Sequence, residues 1–151
     1  MRKLLVLLIL LHGHLYALER ESTLKIYHNI FHALSSKVKV SVYTSDKEYK
    51  EVFRHSKEIT LSDNPEKTDI ILITHESALN EILYTMSEEI HSTNQPIIFV
   101  TNYHFLKISD RIVGAFYWRK GRSQLLFIKN RLEQHEITLP EEYQKFMIDE
   151  L

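Results

Sequence analysis

DIILITH, residues 69–75, and PIIFVTN, residues 96–102, are continuous apolar runs bounded by polar residues. A strand buried on one face alternates apolar with polar. A run without that alternation suits a central strand covered on both faces, as in a parallel sheet. Between the two runs lies ESALNEILYTMSEEIHSTN, in which Leu79, Ile82, Leu83, Met86 and Ile90 recur at helical spacing. Strand, helix and strand in this order predict a right-handed βαβ unit.

Upstream, Leu24, Tyr27, Phe31 and Leu34, with Ile26 and Ile30 beside them, predict a helix that Ser22 or Thr23 would cap. KVKVSVYT, residues 37–44, alternates with Val38, Val40 and Val42 on one side and predicts a strand. Ser45-Asp46 opens a second helix with Tyr49, Val52 and Phe53 facing inward, and EITLS and SDNPEKTD follow as a short strand and a turn. Downstream, YHFLKIS is a short helix or loop. Arg111–Trp118 and Gln124–Lys129 read as two strands joined at Lys120-Gly121, an antiparallel hairpin. LPEEYQKFMIDE predicts a last helix with Pro140 in its first turn. The sum is an α/β fold: a three-layer Rossmann-like sandwich with a mostly parallel sheet and an antiparallel C-terminal hairpin.

The chain has 151 residues, 44% of them hydrophobic and 26% charged, which suits a single domain with its own core. Formal net charge is −1, so nothing draws the whole molecule toward nucleic acid. With no cysteine, disulfides and thiolate metal sites are excluded.

The N-terminus, MRKLLVLLILLHGHLYALERE, has the layout of a secretory signal. Arg2 and Lys3 precede an apolar run from Leu4 to Leu11, then a polar break, then Leu15-Tyr16-Ala17. The run is too short for a membrane span, which needs about 20 residues. The reading is therefore a signal peptide over residues 1–17 and one α/β domain over 18–151. Removing Arg2 and Lys3 from the 19 basic residues leaves 17 against 20 acidic ones, a formal −3.

The order of elements resembles that of the YfiR-like family of small periplasmic regulatory proteins. The likeness rests on LKIYHNIFHAL before the first strand and on PIIFVTN, a short irregular segment and RIVGAFYWRKGRSQLLFIKNRLEQHEITLPEEYQKFM. It covers most of residues 24–147. An aromatic-proline pair after the first helix and a glycine-rich loop after the third parallel strand, both common in the family, are absent here. The resemblance implies a non-enzymatic domain that binds and modulates an inner-membrane signalling protein, a diguanylate cyclase or a sensor kinase. It implies a periplasmic location, no cofactor and no catalytic residue, and it leaves a homodimer open.

Residue-level chemistry points the same way. No glycine-rich phosphate loop and no nucleophile-elbow serine are present. His28 and His32 stand four apart on a predicted helix, a spacing at which two imidazoles can share a metal, with Glu19 or Glu21 the nearest carboxylates. The simpler reading is a solvated helix face, and no metal is assigned.

Thr74, His75, Glu76 and Ser77, with Thr101 and Asn102, fall at the carboxyl ends of the central strands, where open α/β sheets bind ligands. They are the candidate small-ligand site, and ordinary strand-end and capping roles compete for the same residues. The hairpin carries Arg111, Arg119, Lys120, Arg122, Lys129 and Arg131 around a strand that is apolar on both faces. Ile112, Gly114, Phe116 and Trp118 would share one face and Val113, Ala115, Tyr117 and Arg119 the other, covered by Tyr143, Phe146 and Met147 of the last helix or by a partner. Aromatic and arginine residues are enriched at binding hot spots, so Tyr117, Trp118, Arg119 and Arg122 are the candidate partner-binding residues. Basic residues on a hairpin also guard sheet edges against aggregation.

Fractionation of cells expressing the full chain, with intact mass of the soluble product, tests the export reading. The expected species is periplasmic and begins at Leu18; a cytoplasmic species retaining Met1 or Arg2 would place Leu4–Leu11 in the core instead.

Overall fold

The computed structural model describes residues 19–86 and 95–151, so the expected signal segment and Ile90 lie outside the described residues. A first helix, α1, spans residues 19–34. The elements β1 (Val40–Tyr43), α2 (Lys47–Phe53), β2 (Ile59–Leu61), β3 (Ile70–Ile73), α3 (Glu76–Thr85), β4 (Ile97–Val100), β5 (Ile112–Arg119), β6 (Arg122–Ile128), α4 (Lys129–Gln134) and β7 (Met147–Ile148) follow it. Single 3-10 turns occupy Pro65–Lys67, Tyr103–Lys107 and Glu141–Phe146. The seven strands form one sheet in the order β2-β1-β3-β4-β5-β6-β7. Every neighbouring pair is parallel except β5 with β6. This is the expected Rossmann-like sandwich.

All four residues of β3 are buried, as are Ile98, Phe99 and Val100 of β4, which is why these runs do not alternate. Their side chains divide the interior in two. On one face Ile70, Leu72 and Phe99 meet Tyr27, Ile30, Phe31 and Leu34 of α1, Phe53 of α2, and Leu132 and Leu139. On the other, Ile71, Ile73, Ile98 and Val100 meet Leu79, Ile82 and Met86 along α3, and Phe105 and Leu106 of the second 3-10 turn. Tyr27 is the hub of the first face. Its ring packs within 6 Å of Phe31, Tyr49, Phe53 and Phe116, and its hydroxyl lies 3.2 Å from that of Tyr49. Burial, and next the Tyr49 hydroxyl, push the Tyr27 pKa far up, so the ring stays neutral.

Several expectations need correction. Helix α1 is already under way at Glu19, where Thr23 Oγ1 donates to the carbonyl of Glu19 at 2.9 Å, so Thr23 is an interior residue and not a cap. Strand β1 starts at Val40, and Val38 is exposed. The second expected strand of the hairpin ends at Ile128 because the chain turns into α4 at Lys129. The expected last helix is a 3-10 turn that runs into the edge strand β7. Its role survives, since Tyr143, Phe146 and Met147 still cover the first face, with Tyr143 edge-on to Phe127.

The faces of β5 differ as well. The β4–β5 register slips between Ile98 and Phe99, so that Ile98 pairs with Ile112 but Phe99 with Gly114. The extra residue is a bulge, and a one-residue slip exchanges the faces. Val113 therefore joins Phe116 on the first face, while Ile112 joins Ala115 and Tyr117 on the second. Gly114 opposite Phe99 is a close approach. A Cβ there would meet the Leu126 carbonyl oxygen at 2.5 Å and the Phe127 ring at 2.8 Å.

Asp69 sets β3 beside β1. Its Oδ2 accepts from the Ser41 backbone N–H at 2.8 Å and from the Ser41 hydroxyl at 2.9 Å, and its Oδ1 pairs with Lys37. Burial alone would raise the Asp69 pKa, but the hydrogen bonds from Lys37 and Ser41, helped by the Lys37 charge, outweigh it and hold the carboxyl below its ordinary value. The ionised group therefore stabilises the fold above that ordinary value, and the contribution disappears as pH falls through the lowered one. Thermal melts of Asp69→Asn against the wild type should show the variant less stable at neutral pH, with the gap closing in acid; a gap independent of pH would refute this role.

Candidate functional site

The chain reverses its direction of growth across the sheet between β1 and β3, because β2 lies outside β1 and β3 lies inside it. At such a switch point the loops diverge and leave a crevice at the carboxyl ends of the strands. Two expected ligand residues stand there. Thr74 Oγ1 donates to Asp46 Oδ2 at 2.8 Å, and His75 Nε2 lies 3.4 Å from the same oxygen. The other oxygen, Asp46 Oδ1, accepts from the backbone N–H groups of Glu48 and Tyr49 and caps α2.

His75 is the N-cap of α3 without a side-chain cap hydrogen bond, and Glu76 and Ser77 are exposed in its first turn. Thr101 follows β4 and donates its N–H to the Ile73 carbonyl at 3.0 Å. Asn102 Oδ1 accepts from the His104 N–H at 2.9 Å and caps the next 3-10 turn. The six residues thus share one end of the sheet. Thr74, His75 and Asn102 spend their polar atoms on Asp46 and on a cap. Asp46, which the sequence marks as a helix start, also anchors Thr74 and His75; an aspartate at a strand end beside the switch point is the signal for this second role.

An open groove of about 1290 Å³ lies at the opposite, amino ends of the strands. Lys37, Asp69, Arg111 and His135 are among its walls. Burial, and next the Arg111 charge, push the His135 pKa down, so this wall is neutral imidazole at physiological pH.

The hairpin separates its six basic residues into two groups. Arg111, Lys129 and Arg131 lie at its base, beyond the ends of β5 and β6 or on α4. Arg111 is half-buried, with Nη1 3.4 Å from the Met86 carbonyl and Nη2 3.4 Å from Gln95 Oε1. Arg131 is only 7% exposed and does not belong to a surface. Its Nη1 donates to the carbonyls of Leu106, Ser109 and Ile112 at 3.0, 3.0 and 2.8 Å, and its Nη2 to Asp110 Oδ1 at 3.1 Å. One guanidinium therefore holds the connection between β4 and β5, a role that no local sequence pattern announces.

Arg119, Lys120 and Arg122 form the tip. Lys120 and Gly121 both have positive φ, +50° and +75°, as a two-residue turn of the primed type requires. Arg119 pairs directly with Arg122, and Trp118 pairs with Ser123. Among the described residues no carboxylate lies within ion-pair distance of these three cations. Trp118 is 73% exposed, while Tyr117, on the other face, leans on Tyr103 with ring centroids 5.4 Å apart. Of the four candidate partner residues, Trp118, Arg119 and Arg122 are exposed and Tyr117 is half-buried; Arg119 and Arg122 share the Tyr117 face, and Trp118 stands on the opposite one.

His28 and His32 lie on one flank of α1 with ring centroids 4.4 Å apart. The carboxylate beside them is neither Glu19 nor Glu21 but Glu58, at the head of β2, which contacts His28 Nε2. Sequence distance hid it, since 30 residues separate Glu58 from His28.

Comparison with known proteins returns no match to any family model, curated protein or solved structure.

Arg131→Met should leave the Leu106, Ser109 and Ile112 carbonyls without their donor and cost about 1–3 kcal/mol. The check is urea unfolding, with a lowered midpoint and an unchanged slope; a midpoint equal to the wild type would show the guanidinium to be dispensable.

Proposed function

We propose that this is an exported, non-enzymatic regulatory domain that binds an inner-membrane signalling protein through its β5–β6 tip. The observation that carries the reading is the like-charged pair Arg119–Arg122 at the tip, with Trp118 exposed on the opposite face of the same ribbon. Like charges directly opposite on a hairpin destabilise it, and a lysine at positive φ adds backbone strain where asparagine would sit more easily. A tip built against its own stability, carrying a large aromatic and three cations, suits an acidic, partly apolar partner surface. The aromatic supplies buried area, the arginines supply bidentate pairing, and the field speeds encounter. Tyr117 backs the tip from Tyr103 and so stiffens it. The resemblance to YfiR-like proteins and the expected export signal support this class of partner and this compartment. No helix among the described residues is long and apolar enough to cross a membrane.

A small-ligand role at the strand ends is the weaker reading, since Thr74 and His75 already serve Asp46.

Detergent-solubilised inner membranes passed over immobilised domain provide the test. Wild type should retain a membrane protein that Trp118→Ala and the double variant Arg119→Ser/Arg122→Ser do not. Lys120→Asn is the counter-test. It should raise the melting temperature, because Asn-Gly suits the turn, yet weaken capture. Capture that survives all of these changes would remove the tip as the contact.

A further inference from the structure

We propose that His28, His32 and Glu58 form a binding site for a divalent transition-metal ion of the zinc type, tying α1 to the head of strand β2. This inference is independent of the hairpin. One ligating atom from each of the three residues lies within 4.8 Å of the other two, and among the described residues this is the one such group.

The rotation of α1 is fixed by its buried stripe, Tyr27, Ile30, Phe31 and Leu34. That leaves His28 and His32, one turn apart, on the flank facing the edge of the sheet. Glu58 is held from the other side. Its N–H and that of Ile59 both donate to Ser56 Oγ, at 3.2 and 2.9 Å, and its carbonyl accepts from the Val40 N–H at 2.9 Å.

The hydrogen-bond balance calls for a cation. His28 Nδ1 lies 3.3 Å from Asn29 Oδ1, and a ring proton on Nδ1 would make that contact a hydrogen bond. In neutral His28 the other nitrogen, Nε2, then presents a lone pair, and it faces the Glu58 carboxylate, also an acceptor. His32 Nε2 points into the same place. Both Nε2 atoms are shut off from solvent; His28 Nε2 touches only the Glu58 carboxylate, and His32 Nε2 has no hydrogen-bond partner. A proton on His28 would satisfy the pair with Glu58 and still leave His32 Nε2 bare. A divalent cation satisfies all three donors at once.

The donor chemistry selects the ion. Two imidazoles and one carboxylate suit zinc, cobalt or nickel and leave a further coordination position open, whereas calcium and magnesium require mostly oxygen donors. The Asn29 contact is the outer-shell hydrogen bond that orients a ligating histidine.

Cobalt(II) titration of the full chain tests this, read by its visible absorption, with stoichiometry by calorimetry and displacement by zinc. One equivalent should bind. His28→Ala, His32→Ala and Glu58→Gln should each weaken binding by at least roughly tenfold. Zinc should raise the melting temperature of the wild type and not of the histidine variants. Circular dichroism establishes that each variant is folded, and His32→Gln replaces His32→Ala should the latter fail. Absence of cobalt uptake by the wild type overturns the proposal. So does uptake unchanged in both histidine variants, which would put the ion on the chain's other histidines.

Discussion

Strands β3 and β4 expose neither face, and the rest of the molecule is arranged around that constraint. A strand apolar on both sides cannot end a layer, so it demands cover above and below. Helix α1, α2 and the segment after α4 supply one cover, and α3 with the 103–107 turn supplies the other. Parallel pairing of β3 with its neighbours then requires crossovers, and α2 and α3 lie on them. The middle of the sheet is thereby closed to ligands. Chemistry is displaced to the strand ends, to the projecting hairpin and to the flank of α1, and those are the places where polar groups gather.

These three places differ in how far their polar groups are already satisfied. At the carboxyl ends Asp46 absorbs both Thr74 and His75 while capping α2, so the crevice is internally balanced. At the hairpin tip Arg119 and Arg122 face each other, and among the described residues no carboxylate lies within ion-pair distance of them. At the α1 flank two imidazole nitrogens and a carboxylate converge, and His32 Nε2 has no hydrogen-bond partner. Imbalance, not concavity, distinguishes the latter two. The large groove at the amino ends, by contrast, is open and walled by residues already engaged, such as Asp69 with Ser41 and Lys37.

The central architecture was legible because its signals are local. An unbroken apolar run names a buried strand, Asp46 before a helical stripe names a cap, and Lys120-Gly121 names a turn. What escaped depends on contacts between distant residues. The bulge that moves Ile112 and Val113 to opposite faces exists only against β4. Helix α4 is six residues long, too short for periodicity to separate it from the end of a strand. The segment after Pro140 carries Tyr143, Phe146 and Met147 at intervals that suit a helix, yet Tyr143 packs on Phe127 of the adjacent strand and the chain straightens so that Met147 pairs with it. Glu58 joins two histidines only because β2 runs at the sheet edge beside α1. Arg131 looked like surface because arginine usually is; only the convergence of three carbonyls reveals otherwise.

That convergence has a consequence for how the molecule comes apart. The three carbonyls belong to the connection into β5, and the guanidinium belongs to a helix that follows β6, so the loop, the hairpin and α4 share one desolvated centre. None can leave alone without stranding either a buried cation or buried oxygens. The C-terminal half therefore opens as one cooperative unit rather than fraying strand by strand. A pull applied at the hairpin tip by a bound partner would be borne at the Arg131 anchor, at the far end of the strands.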